Sequence, residues 1–213
     1  MRLNAHKSTV YIVDDDVGFR ESLEDLVKAM GYQVFGFCSA EDFLEQGKVS
    51  RPGCLILDIF LPNIDGLALQ KKLRGREGPP PVIFITGHGD VPMSVKAMKT
   101  GAVDFLLKPF KTKDLRFAII QALEKDTCYV KEEVSRQEIH SRINSLTPRE
   151  QEVMRQIITG KLNKQIASAL GTAEKTIRKH RSRVMRKMRI SSVADLVRVL
   201  EKVGIVHSSA GLS

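Results

Sequence analysis

Five short apolar runs divide the first 123 residues at similar intervals. The runs are TVYIV (9–13), VFGFC (34–38), CLILDI (54–59), VIFIT (82–86) and DFLLK (104–108). Most are rich in β-branched or aromatic residues, and short continuous apolar runs of this kind are typical of strands that are buried on both faces. We therefore predict five buried parallel strands.

Between these runs, apolar residues recur at helical spacing over 17–30, 92–100 and 113–123. A strand followed by a helix, repeated five times, predicts an α/β doubly wound, five-stranded parallel sheet with helices on both faces. From Leu146 onward the pattern is helical throughout, which predicts a second, small all-α domain. Its predicted helices cover 148–159, 163–170, 173–188 and 192–203.

Residues 124–145 differ from both flanking regions, because they are polar and contain neither Pro nor Gly. Val130 and Val134 give only a thin apolar stripe, which Ile139 and Ile143 could extend. This pattern fits a helical linker that could continue the fifth helix and could also pair with a second copy, and a solvent-exposed single helix fits equally well. The resulting domains are 1–123, a helical linker at 124–145, a helical domain at 146–207 and a tail at 208–213.

The chain is 42% hydrophobic, which suffices for two cores. Cys38, Cys54 and Cys128 have no framework spacing, so we expect buried, reduced thiols of a cytosolic protein. The first ten residues lack the apolar stretch of a signal peptide, and no apolar run approaches the roughly 18 residues of a membrane span. We expect a cytoplasmic protein without a membrane partner.

The net charge of +9 is unevenly distributed. Residues 1–123 carry 16 Lys and Arg against 15 Asp and Glu, whereas residues 124–213 carry 18 against 10. Between Lys161 and Arg189 there are ten basic residues and one acid, Glu174. This excess favours a polyanionic partner for the C-terminal region, although a solvated basic face alone explains it equally well.

Polar residues follow four of the predicted strands. Because the carboxyl ends of parallel strands meet at one edge of a doubly wound sheet, we expect these side chains to converge. Three carboxylates so close together would repel each other, and an oxygen-rich site of this kind suits Mg²⁺. The residues are Asp14, Asp15 and Asp16 after the first strand, Asp58 at the end of the third, Thr86 at the end of the fourth, and Lys108 after the fifth.

Each of these residues alone has a plain structural explanation, such as capping the next helix. Together they can divide the work of phosphoryl transfer. Asp58 can act as a carboxylate nucleophile, Lys108 can supply a positive charge, and the Thr86 hydroxyl can donate a hydrogen bond to a phosphoryl oxygen.

The motifs VDDD (13–16), DIFLPNIDG (58–66), ITGHGD (85–90) and LKPF (107–110) together resemble bacterial response-regulator receiver domains. The stretch 85–110 resembles the FixJ-like branch of the NarL/LuxR-type regulators. This resemblance implies a flavodoxin-like receiver, a partner sensor histidine kinase and Asp58 as phosphoacceptor. It also implies that Asp15, Asp58 and the main-chain carbonyl of Phe60 hold Mg²⁺, with Asp14 one shell out, and that Thr86 and Phe105 rearrange on phosphorylation.

The C-terminal region contains a helix, a short turn and a longer basic helix: LNKQIASAL, GT and AEKTIRKHRSRVMRKM. Ile177, Val184 and Met188 recur at helical spacing and are expected to face inward. A helix of this size fits the major groove of double-stranded DNA. The strings LTPREQEVM (146–154), NKQIA (163–167) and TIRKH (176–180) resemble a LuxR-type helix-turn-helix.

That second resemblance implies base contacts from Arg178, Lys179 and Ser182 and a homodimer bound to paired half-sites. It implies backbone contacts from Lys164, Lys175, Thr176, Arg181, Arg183 and Lys187. The family's usual Ile-Ser before the recognition helix is Thr172-Ala173 here. We expect Thr172 to act as a shifted cap, so that the helix begins one residue early.

We therefore predict a phosphorylation-dependent transcriptional regulator rather than an enzyme. Phosphorylation would alter the face formed by residues about 90–110, and either dimerisation there or release of the helix-turn-helix would raise DNA affinity. RNA polymerase is a further expected partner. Two alternatives stay open. A Mg²⁺-dependent phosphohydrolase usually has a second acid two residues after its nucleophile, where this chain has Phe60. An interaction protein with a degenerate receiver is the other alternative.

Overall fold

The computed structural model describes residues 8–45, 49–87 and 91–205. The predicted tail at 208–213 and residues 88–90 of the ITGHGD motif lie outside these ranges. Within them, no helix combines the length and the apolar character needed to cross a membrane.

The five predicted strands form one parallel sheet in the order β2-β1-β3-β4-β5. All residues of β1, β3 and β4 are buried, as expected. The expectation of burial is wrong for β2, which is largely exposed, and for β5, in which only Leu106 is buried, because these two strands lie at the edges of the sheet. The strands are β1 (Thr9–Val13), β2 (Gln33–Phe37), β3 (Gly53–Asp58), β4 (Val82–Thr86) and β5 (Asp104–Leu107).

Among the described residues, five helices accompany the sheet, of which the hydrophobic pattern indicated three. The helices are α1 (Val17–Ala29), α2 (Ala40–Glu45), α3 (Gly66–Arg74), α4 (Val91–Lys99) and α5 (Thr112–Asn144). The pattern did not indicate α2, which has six residues, or α3, which has nine. A carboxylate caps the start of two helices: Asp16 accepts a hydrogen bond from Phe19 N in α1, and Asp65 accepts one from Ala68 N in α3.

Alternate residues of the central strands enter two separate cores, one on each face of the sheet. One core contains Ile56 of β3 with Leu23 of α1 and Ile119 of α5. The other contains Leu57 of β3 with Leu69 of α3. The sheet therefore carries helices on both faces, which confirms the doubly wound α/β fold. Of the cysteines expected to be buried, only Cys54 is; Cys38 and Cys128 are exposed.

Helix α5 continues without a break through the predicted boundary at residue 123. The chain divides into two compact units between Lys131 and Glu132, so this helix contributes to both. Residues 124–144 therefore continue the fifth helix, and pairing of this segment with a second copy stays a prediction. The last turns of α5 are not exposed on all sides, because Ile139 and Ile143 are buried in the core of the second unit.

Four further helices pack around that third core. They are α6 (Pro148–Ile158), α7 (Asn163–Ala169), α8 (Glu174–Met188) and α9 (Val193–Lys202). Gly171 makes the turn before α8 with φ +60°, a conformation that glycine adopts without strain. The expected shifted cap at Thr172 is wrong: Ala173 occupies the cap position without a side-chain hydrogen bond, and α8 begins at Glu174.

A buried ion pair connects α8 to the start of α6. Glu150 and Thr147 form a capping box, in which Glu150 accepts a hydrogen bond from Thr147 N. The same Glu150 carboxylate lies 2.6 Å from Lys187 Nζ, and Lys187 also donates to the Ser145 carbonyl. The hydrogen bonds from Lys187 and the Thr147 backbone lower the pKa of Glu150 to about 2.

We expect Gly66→Ala to destabilise the receiver by about 1–3 kcal/mol, because a Cβ there would lie 2.2 Å from the Asp58 carbonyl oxygen and force the backbone apart. Urea unfolding followed by tyrosine fluorescence measures this, since the chain has no Trp and all three Tyr (Tyr11, Tyr32 and Tyr129) lie before residue 132. Gly75→Ala is the control, because its nearest contact would be at 3.5 Å. Equal effects of the two changes would contradict the argument.

We expect Glu150→Gln to destabilise the second unit by about 1–2 kcal/mol at pH 7, because Gln keeps the capping bond but loses the charge opposite Lys187. A carboxyl whose native pKa is lowered stabilises the fold above its ordinary pKa near 4.5 and loses that effect as the pH falls toward 2. The difference between wild type and variant should therefore shrink by pH 3. Urea titrations followed by NMR signals of residues 132–205 measure it. Glu152→Gln, which removes an exposed ion pair with Arg149, should show little difference at either pH.

Candidate functional site

The predicted convergence of carboxylates is present at the carboxyl edge of the sheet. Asp14 and Asp15 follow β1, and Asp58 is the last residue of β3. Carboxylate oxygens of these three residues lie within 4.8 Å of one another. Asp14 and Asp58 are buried, whereas Asp15 is exposed. Because β1 and β3 are neighbours in the sheet, their ends bring the three acids together.

Lys108 supplies the cation nearest to this cluster. Its Nζ lies 2.7 Å from Asp14 Oδ2 and 2.7 Å from Asp58 Oδ2, so one ammonium group bridges the ends of two strands. The same Nζ lies 3.8 Å from the centre of the Phe19 ring, a favourable cation–π contact. The sequence predicted that Lys108 supplies positive charge at this edge, but the contact with Phe19 could not be predicted, because Phe19 belongs to the apolar helical pattern of residues 17–30.

Backbone amides fix the remaining carboxylate oxygens of the buried pair. Asp14 Oδ1 accepts a hydrogen bond from Asp16 N, and Asp58 Oδ1 accepts one from Phe60 N. Asp16 itself caps α1, so the three consecutive acids do different work. The carboxylates that face Lys108 are thus held from both sides.

In this site, the burial of the charged groups and their pairing shift the pKa values in opposite directions. Burial raises the pKa of Asp14, and the hydrogen bond from Lys108 only partly offsets that effect. Burial alone would lower the pKa of Lys108, but its hydrogen bonds to Asp14 and Asp58 outweigh burial and leave the pKa raised. Three carboxylates against one ammonium leave an excess of negative charge around oxygen donors. This donor set suits a hard divalent cation such as Mg²⁺.

The other predicted site residues surround the cluster. Thr86 is fully buried at the end of β4, and its carbonyl accepts a hydrogen bond from Lys108 N. Phe105 of β5 is partly buried against the second core of the receiver. The Phe60 side chain is about half exposed.

The basic surface of the second unit lies on α7 and α8. Ile177, Val184 and Met188 are buried in its core, which confirms the predicted inward face. Six of the nine predicted DNA-binding residues are exposed: Lys164, Lys175, Arg178, Lys179, Ser182 and Arg183.

The remaining three, Thr176, Arg181 and Lys187, are partly buried. Two of them have partners inside the domain, since Arg181 donates to Asn163 Oδ1 and Lys187 pairs with Glu150. The pairing of Lys187 with Glu150 could not be predicted from the sequence, because 37 positions separate the two residues.

Comparisons with known proteins match both units. The response regulator receiver domain matches residues 10–120, and the family described as bacterial regulatory proteins, luxR family, matches residues 144–200. Nodulation protein W of Bradyrhizobium diazoefficiens is 44% identical over 93% of this chain and 88% of its own length. Transcriptional regulatory protein FixJ of the same organism is 39% identical over 94% of this chain and 98% of its own length.

Among solved structures, that of the response regulator StyR covers 92% of this chain and 99% of its own, with a TM-score of 0.80 and 42% identity. Similarity therefore extends across both units and not only over the receiver. The chain belongs to the response regulators, in which a receiver domain is joined to a LuxR-type DNA-binding domain for phosphorylation-dependent control of transcription.

Proposed function

We propose that Asp58 is the phosphoacceptor of this chain and that a sensor histidine kinase supplies the phosphoryl group. The observation that carries the proposal is the position of Lys108 Nζ, 2.7 Å from both Asp14 and Asp58. A single ammonium group that bridges two buried carboxylates can donate hydrogen bonds to phosphoryl oxygens in place of one of them. The match to the receiver family supports the kinase as donor.

In the proposed step, a bond forms between a carboxylate oxygen of Asp58 and phosphorus. The bond from phosphorus to the kinase's histidine nitrogen breaks, and its electron pair leaves with the imidazole. Lys108 then neutralises negative charge on the transferred group, and Thr86 donates its hydroxyl hydrogen to a phosphoryl oxygen. Positioning and electrostatics carry most of this class of reaction, so these residues suffice.

Mg²⁺ would be held by Asp15, Asp58 and the main-chain carbonyl of Phe60. When bound, it supplies positive charge against which the phosphoryl oxygens can be oriented. Asp14 would act one shell out. Its side chain is fully buried, whereas 10% of the Asp58 side chain is exposed, and this difference supports a metal contact from Asp58 but not from Asp14.

The consequence of phosphorylation is proposed to be homodimerisation through the face formed by α4 and β5. Thr86 and Phe105 would rearrange together, since they lie on neighbouring strands. Val95, Met98 and Leu107 support an interface here, because these large apolar side chains are about half exposed. A dimer would raise the affinity for paired half-sites on DNA, and RNA polymerase is the further partner that transcriptional control requires.

The proposed organisation is a receiver at 1–123, a linker at 124–145 whose first two turns still contact the receiver, a DNA-binding domain at 146–207 and a tail at 208–213. The cytoplasm, where bacterial DNA lies, is the proposed place of action. Arg178, Lys179 and Ser182 are proposed to contact bases. Their exposure on α8, opposite the buried Ile177 and Val184, supports this assignment.

We expect Asp58→Asn to abolish phosphorylation, because an amide cannot act as the nucleophile. The full chain is incubated with acetyl phosphate and Mg²⁺, and intact mass spectrometry records the gain of one phosphoryl group. The same reaction with and without Mg²⁺ tests the metal requirement. Asp65→Asn is the matched control, because Asp65 lies in the loop after β3 but only caps α3. Labelling of Asp58→Asn at the wild-type level would refute the assignment.

We expect Arg178→Ala to weaken binding to selected DNA by about 1–3 kcal/mol and to reduce discrimination against unrelated DNA, because it removes a base contact. Lys164→Ala should weaken both kinds of binding alike and lower the salt slope by about one. The probe is DNA selected from a random pool by the wild-type chain, and binding is measured by fluorescence anisotropy at several salt concentrations. Arg198→Ala on α9, exposed and paired with Asp195, is the control. An unchanged discrimination ratio for Arg178→Ala would exclude it as a base-reading residue.

A further inference from the structure

Arg51 connects three segments at the amino edge of the sheet, opposite to the carboxylate cluster. Its guanidinium donates hydrogen bonds to Asp126 Oδ1 on α5 and to the Gly78 carbonyl in the loop before β4. Its Cζ lies 5.0 Å from the centre of the Tyr129 ring, also on α5. We call Arg51, Asp126 and Tyr129 the α5 clamp.

Asp126 is the buried member of the α5 clamp, with 1% of its side chain exposed. Its second carboxylate oxygen accepts a hydrogen bond from Gly53 N at 2.9 Å, so both oxygens have partners. Asp is a poor helix former, and a buried carboxylate is costly unless it is paired. Helix formation therefore does not explain an Asp at this position, whereas its two partners outside the helix do.

The loop before β4 is shaped to fit the α5 clamp. Gly78 has φ +61°, and a Cβ at this position would lie 2.9 Å from Arg51 Nη2 and 3.3 Å from Tyr129 Oη. The clamp residues thus pack directly against the backbone of Gly78. The α5 clamp is therefore a packed contact and not an incidental pair of surface side chains.

The position of the α5 clamp along the helix gives it a role. Leu123 is the last residue of α5 in the receiver core, and Asp126 and Tyr129 hold the next two turns. No residue from 130 to 138 is buried. Along α5, the α5 clamp is therefore the last place at which described residues of the receiver hold the helix by buried contacts. It is also remote from Asp58, since it adjoins the start of β3 and Asp58 ends that strand about 17 Å away.

We propose that Arg51 is a positioning residue for signal output, which holds residues 124–129 of α5 on the receiver so that a change at Asp58 acts on a fixed helix. The inference rests on the proposed function, because it assumes that phosphorylation raises DNA affinity. Arg51 takes no part in phosphoryl transfer. Its loss disconnects the output while the chemistry at Asp58 continues.

The test compares full-length wild type, Arg51→Gln, Arg51→Lys and the exposed control Cys128→Ser. Hydrogen–deuterium exchange should accelerate by about tenfold or more for amides 124–131 in Arg51→Gln, and by less than about twofold in β1, β3 and β4. Labelling by acetyl phosphate and Mg²⁺ should stay at the wild-type level. The gain in affinity for selected DNA on phosphorylation should fall several-fold, with Arg51→Lys intermediate because it keeps the charge but loses the fork of donors.

Tyr129→Leu serves as a second variant should Arg51→Gln not fold, because it keeps the buried ion pair and removes only the ring. The same local acceleration, smaller in size, is expected from it. Uniform acceleration across residues 10–123 would reduce Arg51 to a contributor to stability and overturn the proposal. So would an undiminished gain in DNA affinity. A wild-type chain without any gain on phosphorylation contradicts the proposed function itself, and with it the signalling role of Arg51.

Discussion

The ammonium group of Lys108 holds the functional edge of the receiver together. Three carboxylates meet there because β1 and β3 are adjacent, and without a cation their repulsion would oppose the fold. Lys108 follows β5, two strands away from β3, so its bonds to Asp14 and Asp58 also tie the edge of the sheet to its centre. The arrangement of charge and the order of strands therefore depend on each other.

Much of this site could be predicted from the sequence because parallel strands end at one edge. Once the five apolar runs are identified, the polar residues that follow them have to lie close together, whatever the details of the helices. Strand order is different, because it depends on contacts between distant segments. Neither the exposure of β2 nor that of Cys38 could be derived from its own apolar run, since both depend on the place of β2 at the sheet edge. Short helices such as α2 have too few residues to show a period.

In the second unit, too, local features could be predicted from the sequence, whereas contacts between distant residues could not. The period of Ile177, Val184 and Met188 predicted which face of α8 is buried, because that pattern is local. The pairing of Lys187 with Glu150 is not local, so a lysine that the basic composition grouped with the other cations instead joins α8 to the capping box of α6. The start of α8 could not be predicted from the residue types preferred at helix caps. The backbone turns at Gly171, and the side chain of Thr172 does not cap the helix.

The contacts of Asp126 have a practical consequence for any isolated receiver. A fragment that ends at residue 123 retains all five strands and yet lacks the carboxylate that satisfies the Arg51 guanidinium and the Gly53 amide. Arg51 would lose both its ion-pair partner and the aromatic ring beside its guanidinium, and the last helix would end before its contacts with Arg51 and Gly53. A receiver fragment that keeps these contacts extends at least through Tyr129. The shortest fragment that contains the phosphorylation site is therefore shorter than the shortest fragment that contains the complete fold.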